Sequence, residues 1–507
     1  MTTTNIDTEL TRRDLVKFGG AACLVAGALG ATGAATARAA EGDAAGFVVG
    51  TAPVNFTKEA DVLIIGTGLS GLAAGMAPVL AGKKVVFAEK KATFGGDSAA
   101  SCWFMFATGS KPQLDAGYAT TIEQAWEAAA EKQIAPYGDT YEWFADWAKG
   151  KYLANTEFVD AAIADFGCTY QEPSTDEELP RLGASVILPA EGIGTGHEYI
   201  LSPLQANLEA KGAEFCYELR ATALIKDAPD GAVIGCRFQD VDGNPVDIKA
   251  SAVVLATGGF IDNGEMVARY LPEWANYGVL VHGCIGEGHT LAAAAGAQIS
   301  GMDTSISAHY CNLMGDIPNA TTWGYWAPLV LVLPNGKRFI QEGQSHDAAQ
   351  ACVDAGYREW WVIFDQRAFD TRTIAKSVTN NINVHSDAYR TAETLDELAV
   401  AMDVPADVLN ATFAEYDGYV AAGEDTAFGK TSWLESLQAP YHALKLNVMR
   451  YKTSGGLMVG PDNQVLDVNG EQIPGLYACG AVTTLAQASC SLCAATGYFT
   501  GKSIAQA

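Results

Sequence analysis

The strongest constraint on this chain is a glycine pattern within residues 61–90, between two short apolar runs. Each run suits a strand buried on both faces, and the residues between them suit a helix. Gly66, Gly68 and Gly71 follow the first run as G-x-G-x-x-G, and Glu89 closes the second run. This order of strand, glycine turn, helix, strand and acidic residue predicts a dinucleotide-binding βαβ unit.

Each of these residues has a physical role in such a unit. Gly66 permits the tight turn out of the strand, Gly68 lets the backbone approach a pyrophosphate, and Gly71 allows helix and strand to pack closely. The free N–H groups at the start of the helix attract phosphate, and the Glu89 carboxylate accepts hydrogen bonds from a ribose. The predicted cofactor-binding residues of this unit are Gly66, Gly68, Leu69, Ser70, Gly71, Glu89 and Lys90.

Length and charge limit the possible classes of protein. A chain of 507 residues predicts two or three domains, and a hydrophobic content of 49% is enough for a large core. The formal net charge of −27 comes from 32 basic and 59 acidic residues, and it argues against nucleic acid as a partner. We interpret the acidity as a solubility feature of a protein that works outside the cytoplasm.

The N-terminus has the pattern of a twin-arginine export signal. Arg12 and Arg13 precede an apolar run rich in glycine and alanine at residues 18–35, and Ala37 and Ala39 suit a cleavage site. We predict that residues 1–39 are removed during export to the periplasm or the extracytoplasmic face of the cell envelope. Residues 40–56 are a predicted linker, and no later stretch is long and apolar enough to span a bilayer.

The chain has 11 cysteines, and only Cys490 and Cys493 form a C-x-x-C pair. One such pair cannot hold zinc or an iron–sulfur cluster by itself, and no histidine follows it as a haem attachment site requires. We therefore predict no metal. The main interpretation of the pair is two small buried residues, and a redox-active pair is the alternative.

Further glycine motifs return to the same cofactor. The Gly95–Gly96 pair is followed by Asp97 and Ser98, and we predict that Gly96, Asp97 and Ser98 bind the cofactor. The loop after them contains Cys102 and Trp103 and is rich in aromatic residues. It forms either a wall of the cofactor site or part of the ordinary core. Later strand-like runs end at glycine-rich turns. The residues of these later runs that we predict to bind cofactor are Ala223, Gly258, Gly480 and Ala481.

Four motifs stand in a fixed order: GTGLSG with its acidic partner, GGDS, AVVLATGGF, and TSGGL with GLYACGAV. Together they resemble the flavoprotein family of fumarate reductase and succinate dehydrogenase, which also includes urocanate reductase and the 3-ketosteroid dehydrogenases. The resemblance covers residues 58–506. It implies an α/β fold in which a Rossmann-like two-dinucleotide-binding FAD domain is interrupted by an α+β capping domain.

The resemblance also implies domain boundaries and a mode of cofactor binding. The FAD domain takes residues 57–303 and 448–507, and the capping domain takes residues 304–447, where tryptophan and tyrosine are frequent. Covalent attachment in respiratory relatives uses a histidine after the first Gly-Gly pair. This chain has no histidine between Lys90 and Phe106, so we predict noncovalent FAD.

The catalytic positions depart from the family pattern. His346 stands where fumarate reductases have the proton-donating arginine, and Lys452 replaces a histidine before Gly455 and Gly456. His309 matches a dicarboxylate-binding histidine, although Tyr310 replaces the proline after it. Ser489 falls near the place of a second substrate-binding arginine.

These departures change the expected substrate. A dicarboxylate in a partly buried site needs fixed cations, preferably arginine, and two expected arginines are missing. The aromatic excess predicts a flat, apolar, conjugated substrate such as an enone, a steroid or a cinnamate-like compound. We predict hydride transfer from flavin N5 to its C=C bond, with His346 as the acid and Tyr310 or Lys452 as alternative acids.

Three other functions remain open. They are a 3-ketosteroid-type dehydrogenase that introduces the C=C bond, a carboxylate reductase of the fumarate or urocanate type, and an FAD-binding protein without catalysis. For the reductase, the electron donor is predicted to be separate: a membrane or soluble cytochrome, or a small carrier.

Overall fold

The computed structural model describes residues 47–48, 53–101, 103, 105–134, 138, 140–173, 186–192, 194–280, 282–303, 306–311, 323–324, 326–342, 348–484 and 489–507; for residues 47–48, 132, 186 and 306–311 it describes the backbone alone. The predicted signal segment, Cys102 and His346 lie outside the described residues. The side chains of His309 and Tyr310 lie outside them as well.

The strands are β1 (Phe47–Val48), β2 (Phe56–Ile65), β3 (Val85–Ala88), β4 (Met105–Phe106), β5 (Val186–Ile187), β6 (Glu214–Cys216), β7 (Arg220–Lys226), β8 (Val233–Gln239), β9 (Pro245–Leu255), β10 (Gly278–Val279), β11 (Ile299–Ser300), β12 (Ile306–Cys311), β13 (Leu329–Val332), β14 (Glu359–Phe364), β15 (Tyr389–Ala392), β16 (Tyr441–Thr453), β17 (Gly456–Leu457), β18 (Gln464–Leu466) and β19 (Gln472–Ala478). The α-helices are α1 (Leu69–Leu80), α2 (Lys111–Asp115), α3 (Ile122–Ile134), α4 (Phe144–Phe166), α5 (Ser202–Ala210), α6 (Gly264–Tyr270), α7 (Glu287–Ala294), α8 (Ala348–Asp354), α9 (Arg367–Asp370), α10 (Ala375–Val384), α11 (Leu395–Met402), α12 (Ala406–Ala422) and α13 (Cys490–Gln506).

Within the described residues, the larger sheet has nine strands in the order β1-β7-β8-β9-β2-β3-β6, with β19 paired to β9 and β18 paired to β19. Strands β6, β3, β2, β9 and β19 run parallel, so their carboxyl ends meet at one edge. The centre of the sheet is apolar on both faces because helices cover it, as in other doubly wound folds. The predicted α/β class is confirmed.

Two helices pack closely beneath that edge because glycines line their contact. A Cβ atom on Gly497 of α13 would lie 2.2 Å from the carbonyl oxygen of Ser70 in α1, and one on Gly501 would lie 2.4 Å from that of Ala74. In α1 itself, Gly75 leaves room for the ring of Phe87 on β3. This packing sets the middle of α13 against the first half of α1.

A second sheet is built around β16. Strands β10, β12, β14 and β15 all pair with β16, and β13 pairs with β14. Its core contains buried aromatic rings such as Trp323, Trp360 and Phe364. The strands of this sheet extend from Gly278 to Thr453, and the division into a capping domain at residues 304–447 stays a prediction. The carboxyl end of β16 runs into the cavity described below.

None of the helices in the described ranges combines the length and the apolar character that crossing a membrane requires.

Candidate active site

A cavity opens where the parallel strands of the larger sheet end. Its wall begins at Ile65 and Gly66 after β2, at Ala88 and Glu89 after β3, and at Ala256 after β9. Ligands of open α/β sheets bind at this edge, because the loops after the strands leave backbone groups free there. The cavity is therefore the candidate cofactor site.

The three glycines of the turn have different surroundings. A Cβ atom on Gly66 would lie 2.4 Å from the carbonyl oxygen of Ala256, and one on Gly71 would lie 2.1 Å from that of Gly66. These two glycines are required by packing. Gly68 is different, since its Cβ position meets no heavy atom closer than 3.6 Å and its backbone faces the cavity. The open face above Gly68 is where a pyrophosphate could approach.

Glu89 is buried and firmly oriented. Its Oε2 accepts hydrogen bonds from the Thr67 amide at 3.0 Å and from Thr67 Oγ1 at 2.8 Å, and its Oε1 accepts one from the Lys91 amide at 3.0 Å. Glu89 also lines the cavity. A fixed carboxylate with remaining acceptor capacity suits the hydroxyl groups of a ribose.

Three paired charged side chains lie beside Glu89. Glu287 at the start of α7 forms ion pairs with Lys90 and with Arg220 on β7. Lys90 also donates a hydrogen bond to the carbonyl of Gly283. These contacts join the loop after β3 to α7 beside Glu89, the residue predicted to contact a ribose.

The Gly95–Gly96 loop covers the first turn of α1. Gly95 donates from its amide to the Thr67 carbonyl at 3.0 Å, and Ser98 Oγ accepts from the Leu69 amide at 3.1 Å. Asp97 Oδ1 and Thr257 Oγ1 are buried polar atoms on the cavity wall without a hydrogen-bond partner in the described structure. Burial raises the pKa of the Asp97 carboxyl above its ordinary value. Buried polar atoms of this kind require a partner, and a bound dinucleotide would supply one.

The part of the cavity wall that we call the far end brings together residues that are distant in sequence. Tyr451, Lys452 and Thr453 come from the end of β16, and Phe106 comes from β4. Ser489, Cys490 and Cys493 come from the start of α13. Lys452 Nζ lies 5.8 Å from the centre of the Tyr451 ring, and Thr453 Oγ1 accepts a hydrogen bond from the Phe260 amide at 3.0 Å. Aromatic carbon, thiols and one ammonium group make this end suitable for an apolar reacting centre.

Gly66, Gly68 and Gly71, the oriented Glu89 and the unpartnered atoms of Asp97 and Thr257 fit an FAD molecule, which these residues would hold. In the described part of the chain, no cluster of histidine, cysteine, aspartate or glutamate side chains has the arrangement of a metal site.

The structure places most of the predicted cofactor residues on this cavity. Those that line it are Gly66, Gly68, Ser70, Glu89, Lys90, Gly96, Asp97, Ser98, Gly258 and Ala481. Leu69, Gly71 and Gly480 lie behind the wall, where Gly480 packs on Ser70. Trp103 is fully buried in the core, with its ring against Gly196.

Ala223 does not line the cavity, whereas Ala221 does. The register of β7 against β8 shifts between these two residues, so simple alternation does not hold across them. Of the predicted catalytic residues, Lys452 lines the cavity. The positions of the His346, His309 and Tyr310 side chains stay predictions.

Several lining residues were not predicted from the sequence: Thr67, Lys91, Cys284 and Glu287. Thr67 and Lys91 directly neighbour predicted residues, so a wider window around each motif would have included them. Glu287 stands in a Gly-Glu-Gly-His stretch that indicates only the start of a helix. Its role depends on Lys90 and Arg220, which are close to it only in the folded chain.

His289 is a buried histidine next to the turn at Gly455 and Gly456. Its Nε2 lies 3.4 Å from the Gly455 carbonyl, its Nδ1 has no partner among the described residues, and Phe260 packs edge-on against its ring. Burial lowers the pKa of His289 to about 4, below the usual 6.5. The imidazole is therefore neutral in the folded protein near neutral pH.

This lowered pKa predicts a loss of stability in acid. Because the unfolded chain binds a proton at His289 near pH 6.5 and the folded chain only near pH 4, the folded state loses about 3 kcal/mol as the pH falls through that window. Urea unfolding of the FAD-saturated protein at several pH values measures this loss. We expect the His289→Gln variant to lack that part of the pH dependence.

His282→Gln is the matched control, since the side chain of His282 is 75% exposed. The control variant should retain the pH dependence of the wild type. Equal pH dependence in the wild type and in His289→Gln would contradict the neutral, buried state of His289.

Comparison with known proteins adds to this geometry. A family model described as "FAD binding domain" matches residues 61–496. A probable fumarate reductase, Ifc3, of Shewanella frigidimarina is 28% identical over 444 residues, which are 84% of this chain and 70% of that protein. A vinyl phenol reductase of Lactiplantibacillus plantarum is 26% identical over 465 residues, covering 83% of this chain and 89% of that protein.

Among solved structures, the open conformation of a flavocytochrome c3 fumarate reductase superposes with a TM-score of 0.70. The sequences are 25% identical, and the match covers 89% of this chain and 79% of that one. The resemblance inferred from the four glycine motifs is confirmed, and so is FAD as the cofactor.

Proposed function

The chain belongs to the FAD-binding family whose model matches residues 61–496, and from that premise we propose that it reduces the activated C=C bond of an apolar, conjugated substrate. The oxidoreductase class and the FAD cofactor follow from the family itself. When bound, FAD supplies hydride chemistry. The substrate, the direction of the reaction and export by the twin-arginine pathway are parts of the proposal.

The observation that carries the proposal is the composition of the far end of the cavity. Among the described lining residues the cations are Lys90, Lys91 and Lys452. Lys90 pairs with Glu287 and Lys91 donates to the His282 carbonyl, so both are engaged near the ribose-binding position. Lys452 is left to face a substrate. One ammonium group suits a single carbonyl or phenolate oxygen better than two carboxylates.

The remaining wall supports an aromatic or otherwise flat substrate. Phe106, Tyr451, Cys490 and Cys493 present carbon and sulfur, and burial of an apolar ring against them is favourable. The similarity to a vinyl phenol reductase, which extends over most of both chains, supports the same substrate class. The similarity to fumarate reductases keeps a carboxylate substrate as the second candidate.

The side chains proposed to handle protons are Lys452 and His346. Lys452 can hold and polarise the substrate oxygen, which lowers the barrier for hydride addition at the β-carbon. His346 is proposed to give a proton to the α-carbon, with Tyr310 as the alternative donor. His309 is proposed to contact the substrate. A small-molecule substrate and a separate electron donor, such as a cytochrome or a small carrier, complete the proposal.

An anaerobic assay tests this function. The FAD-loaded protein is reduced with a viologen, and flavin reoxidation is followed after separate additions of vinyl phenols, cinnamates, ketosteroid enones, urocanate and fumarate. We expect rapid reoxidation with one or more of the apolar compounds. Rapid reoxidation by fumarate alone would replace the proposal with a carboxylate reductase. No reoxidation by any compound, followed by reduction of the oxidised protein by saturated ketosteroids, would establish the dehydrogenase instead.

Replacing Lys452 with methionine should lower kcat/KM for the preferred substrate about 100-fold, because the polarising ammonium is lost while the side chain keeps its length. FAD content, read from the absorbance spectrum, should stay the same. Lys445→Met is the matched control, since Lys445 is on the same strand and pairs with Glu359 at 2.9 Å outside the cavity. Wild-type kcat/KM in Lys452→Met would remove this residue from the reaction.

A further inference from the structure

The C-x-x-C pair stands at the first turn of α13, and Ser489 caps this helix. Ser489 Oγ accepts a hydrogen bond from the Leu492 amide at 3.3 Å, and the Ser489 carbonyl accepts one from the Cys493 amide at 2.8 Å. The N-terminus of a 17-residue helix carries partial positive charge. A thiolate is more stable in such a position than elsewhere in a protein interior.

Both thiols line the FAD cavity, as Lys452 does. Cys490 Sγ lies 2.7 Å from Ser101 Oγ, which belongs to the loop that follows the cofactor-binding residue Ser98. Cys493 is close enough to Lys452 for the ammonium to favour the thiolate. The pair is thus located among the residues that we assign to the reacting end of the site.

Cys493 differs from the enclosed cysteines of the core. Burial raises the pKa of Cys493 to about 11, while Lys452 and the Ala481 backbone oppose the rise. For Cys168 and Cys236, burial raises the thiol pKa still further, and no cation opposes it. Both of those cysteines lie away from the cavity.

The spacing allows the two sulfurs to bond. Residues three apart in the first helical turn share a face, with Cβ atoms about 5–6 Å apart. A disulfide needs Cβ atoms about 3.5–4.5 Å apart, so a small adjustment of this terminal turn closes the bond. C-x-x-C pairs at helix N-termini are the usual form of a redox-active dithiol.

We propose that Cys490 and Cys493 are a redox-active pair that passes electrons from an external dithiol carrier to the flavin. The carrier reduces the Cys490–Cys493 disulfide by thiol–disulfide exchange, so its own two thiols become a disulfide. The reduced pair then gives two electrons and two protons to oxidised FAD. In that step two S–H bonds break, one S–S bond forms and the flavin is reduced.

The direction of electron flow rests on the proposed reductase function, but the existence of the pair does not. The first test therefore measures thiols. The FAD-loaded protein is equilibrated with oxidised or reduced dithiothreitol, alkylated with iodoacetamide and digested with trypsin. The peptide of residues 453–502 contains Cys479, Cys490 and Cys493 and no internal lysine or arginine. After oxidation we expect it to carry one label and to be lighter by two hydrogens, and after reduction to carry three labels.

Variants identify the partners. In Cys490→Ser and Cys493→Ser, the two remaining thiols of this peptide should stay labelled under oxidising conditions. In Cys479→Ala, the loss of two labels should persist. Three labels in the oxidised wild type, or a bond that requires Cys479, would overturn the proposal.

The second test compares electron donors. For each protein, the rate of substrate reduction driven by reduced dithiothreitol is divided by the rate driven by reduced viologen. We expect this ratio to fall about tenfold or more in the Cys490→Ser/Cys493→Ser variant. Cys216→Ser, at the half-buried edge strand β6 and outside the cavity, should keep the wild-type ratio. An unchanged ratio in the double variant would overturn the proposal, whereas failure of viologen-driven turnover in the wild type would instead overturn the reductase function.

Discussion

Replacing Gly71 with alanine is expected to abolish tight FAD binding and to lower the free energy of unfolding by about 3 kcal/mol. The new methyl carbon would lie 2.1 Å from the Gly66 carbonyl oxygen and 3.3 Å from Cβ of Ala256. Gly66 and Ala256 both line the cavity, so relief of the clash must move the turn that is predicted to face the pyrophosphate. Titration of the apoprotein with FAD, followed by flavin fluorescence, measures the binding, and urea unfolding measures the stability.

Gly264→Ala is the matched control for this substitution. Gly264 is the first residue of α6, just as Gly71 lies in the first turn of α1, and the Cβ position of Gly264 has no heavy atom within 4 Å. We expect wild-type FAD affinity and a free energy of unfolding within about 0.5 kcal/mol of the wild type. If Gly71→Ala behaved like this control, the turn would be more adaptable than its contacts indicate.

Replacing Glu342 with glutamine is expected to lower the free energy of unfolding by about 3–5 kcal/mol. The Glu342 carboxylate is fully buried, and Arg338 donates to it at 2.9 Å and 2.7 Å. Lys430 Nζ lies 3.9 Å away and is also buried. Burial lowers the pKa of Lys430 to about 8, and Glu342 is the largest of the charges that oppose this shift.

The expected effect is large because the substitution removes a buried negative charge while both buried positive charges, on Arg338 and Lys430, remain. Glutamine keeps the size of the side chain, but it leaves the two buried cations with one carboxylate fewer. Asp425 still accepts from Arg338 at 2.8 Å. Urea unfolding at pH 7 measures the change. Because this network lies outside the FAD cavity, the FAD affinity of the folded variant should stay the same.

Glu157→Gln provides the matched control for Glu342→Gln. Glu157 pairs with Lys502, and both side chains are partly exposed. Solvent screens this pair, so we expect a loss of no more than about 1 kcal/mol. A loss that small in Glu342→Gln as well would mean that water reaches the buried charges.

The cofactor site shows how far local sequence can predict structure. The turn from Gly66 to Gly71 and the acid at position 89 lie within one βαβ unit, and the physical demands on each residue are local. A tight turn, a close approach and a ribose contact each select one residue type. These residues could therefore be predicted from the sequence, and the structure places Glu89 with its carboxylate held by Thr67 and Lys91.

Other residues of the cavity could not be predicted in this way. Ala221 lines it and Ala223 does not, because a register shift in the β7–β8 pair interrupts the alternation of side chains. Glu287 joins the site through Lys90 and Arg220, which are far from it in sequence. Strand register and ion pairing between distant segments depend on the packing of the whole sheet.

By itself, the sequence determined the α/β class, the dinucleotide turn, FAD as the cofactor and the family resemblance, because each depends on short motifs with local geometry. The tertiary structure decided that Lys452 at the end of β16 and the Cys490–Cys493 pair at the start of α13 share one cavity with Gly68. That result depends on two glycines of α13 that let it pack against α1, and on a second sheet that directs β16 toward the cofactor edge. Contacts between segments hundreds of residues apart arise only when the packing of the complete core selects one arrangement.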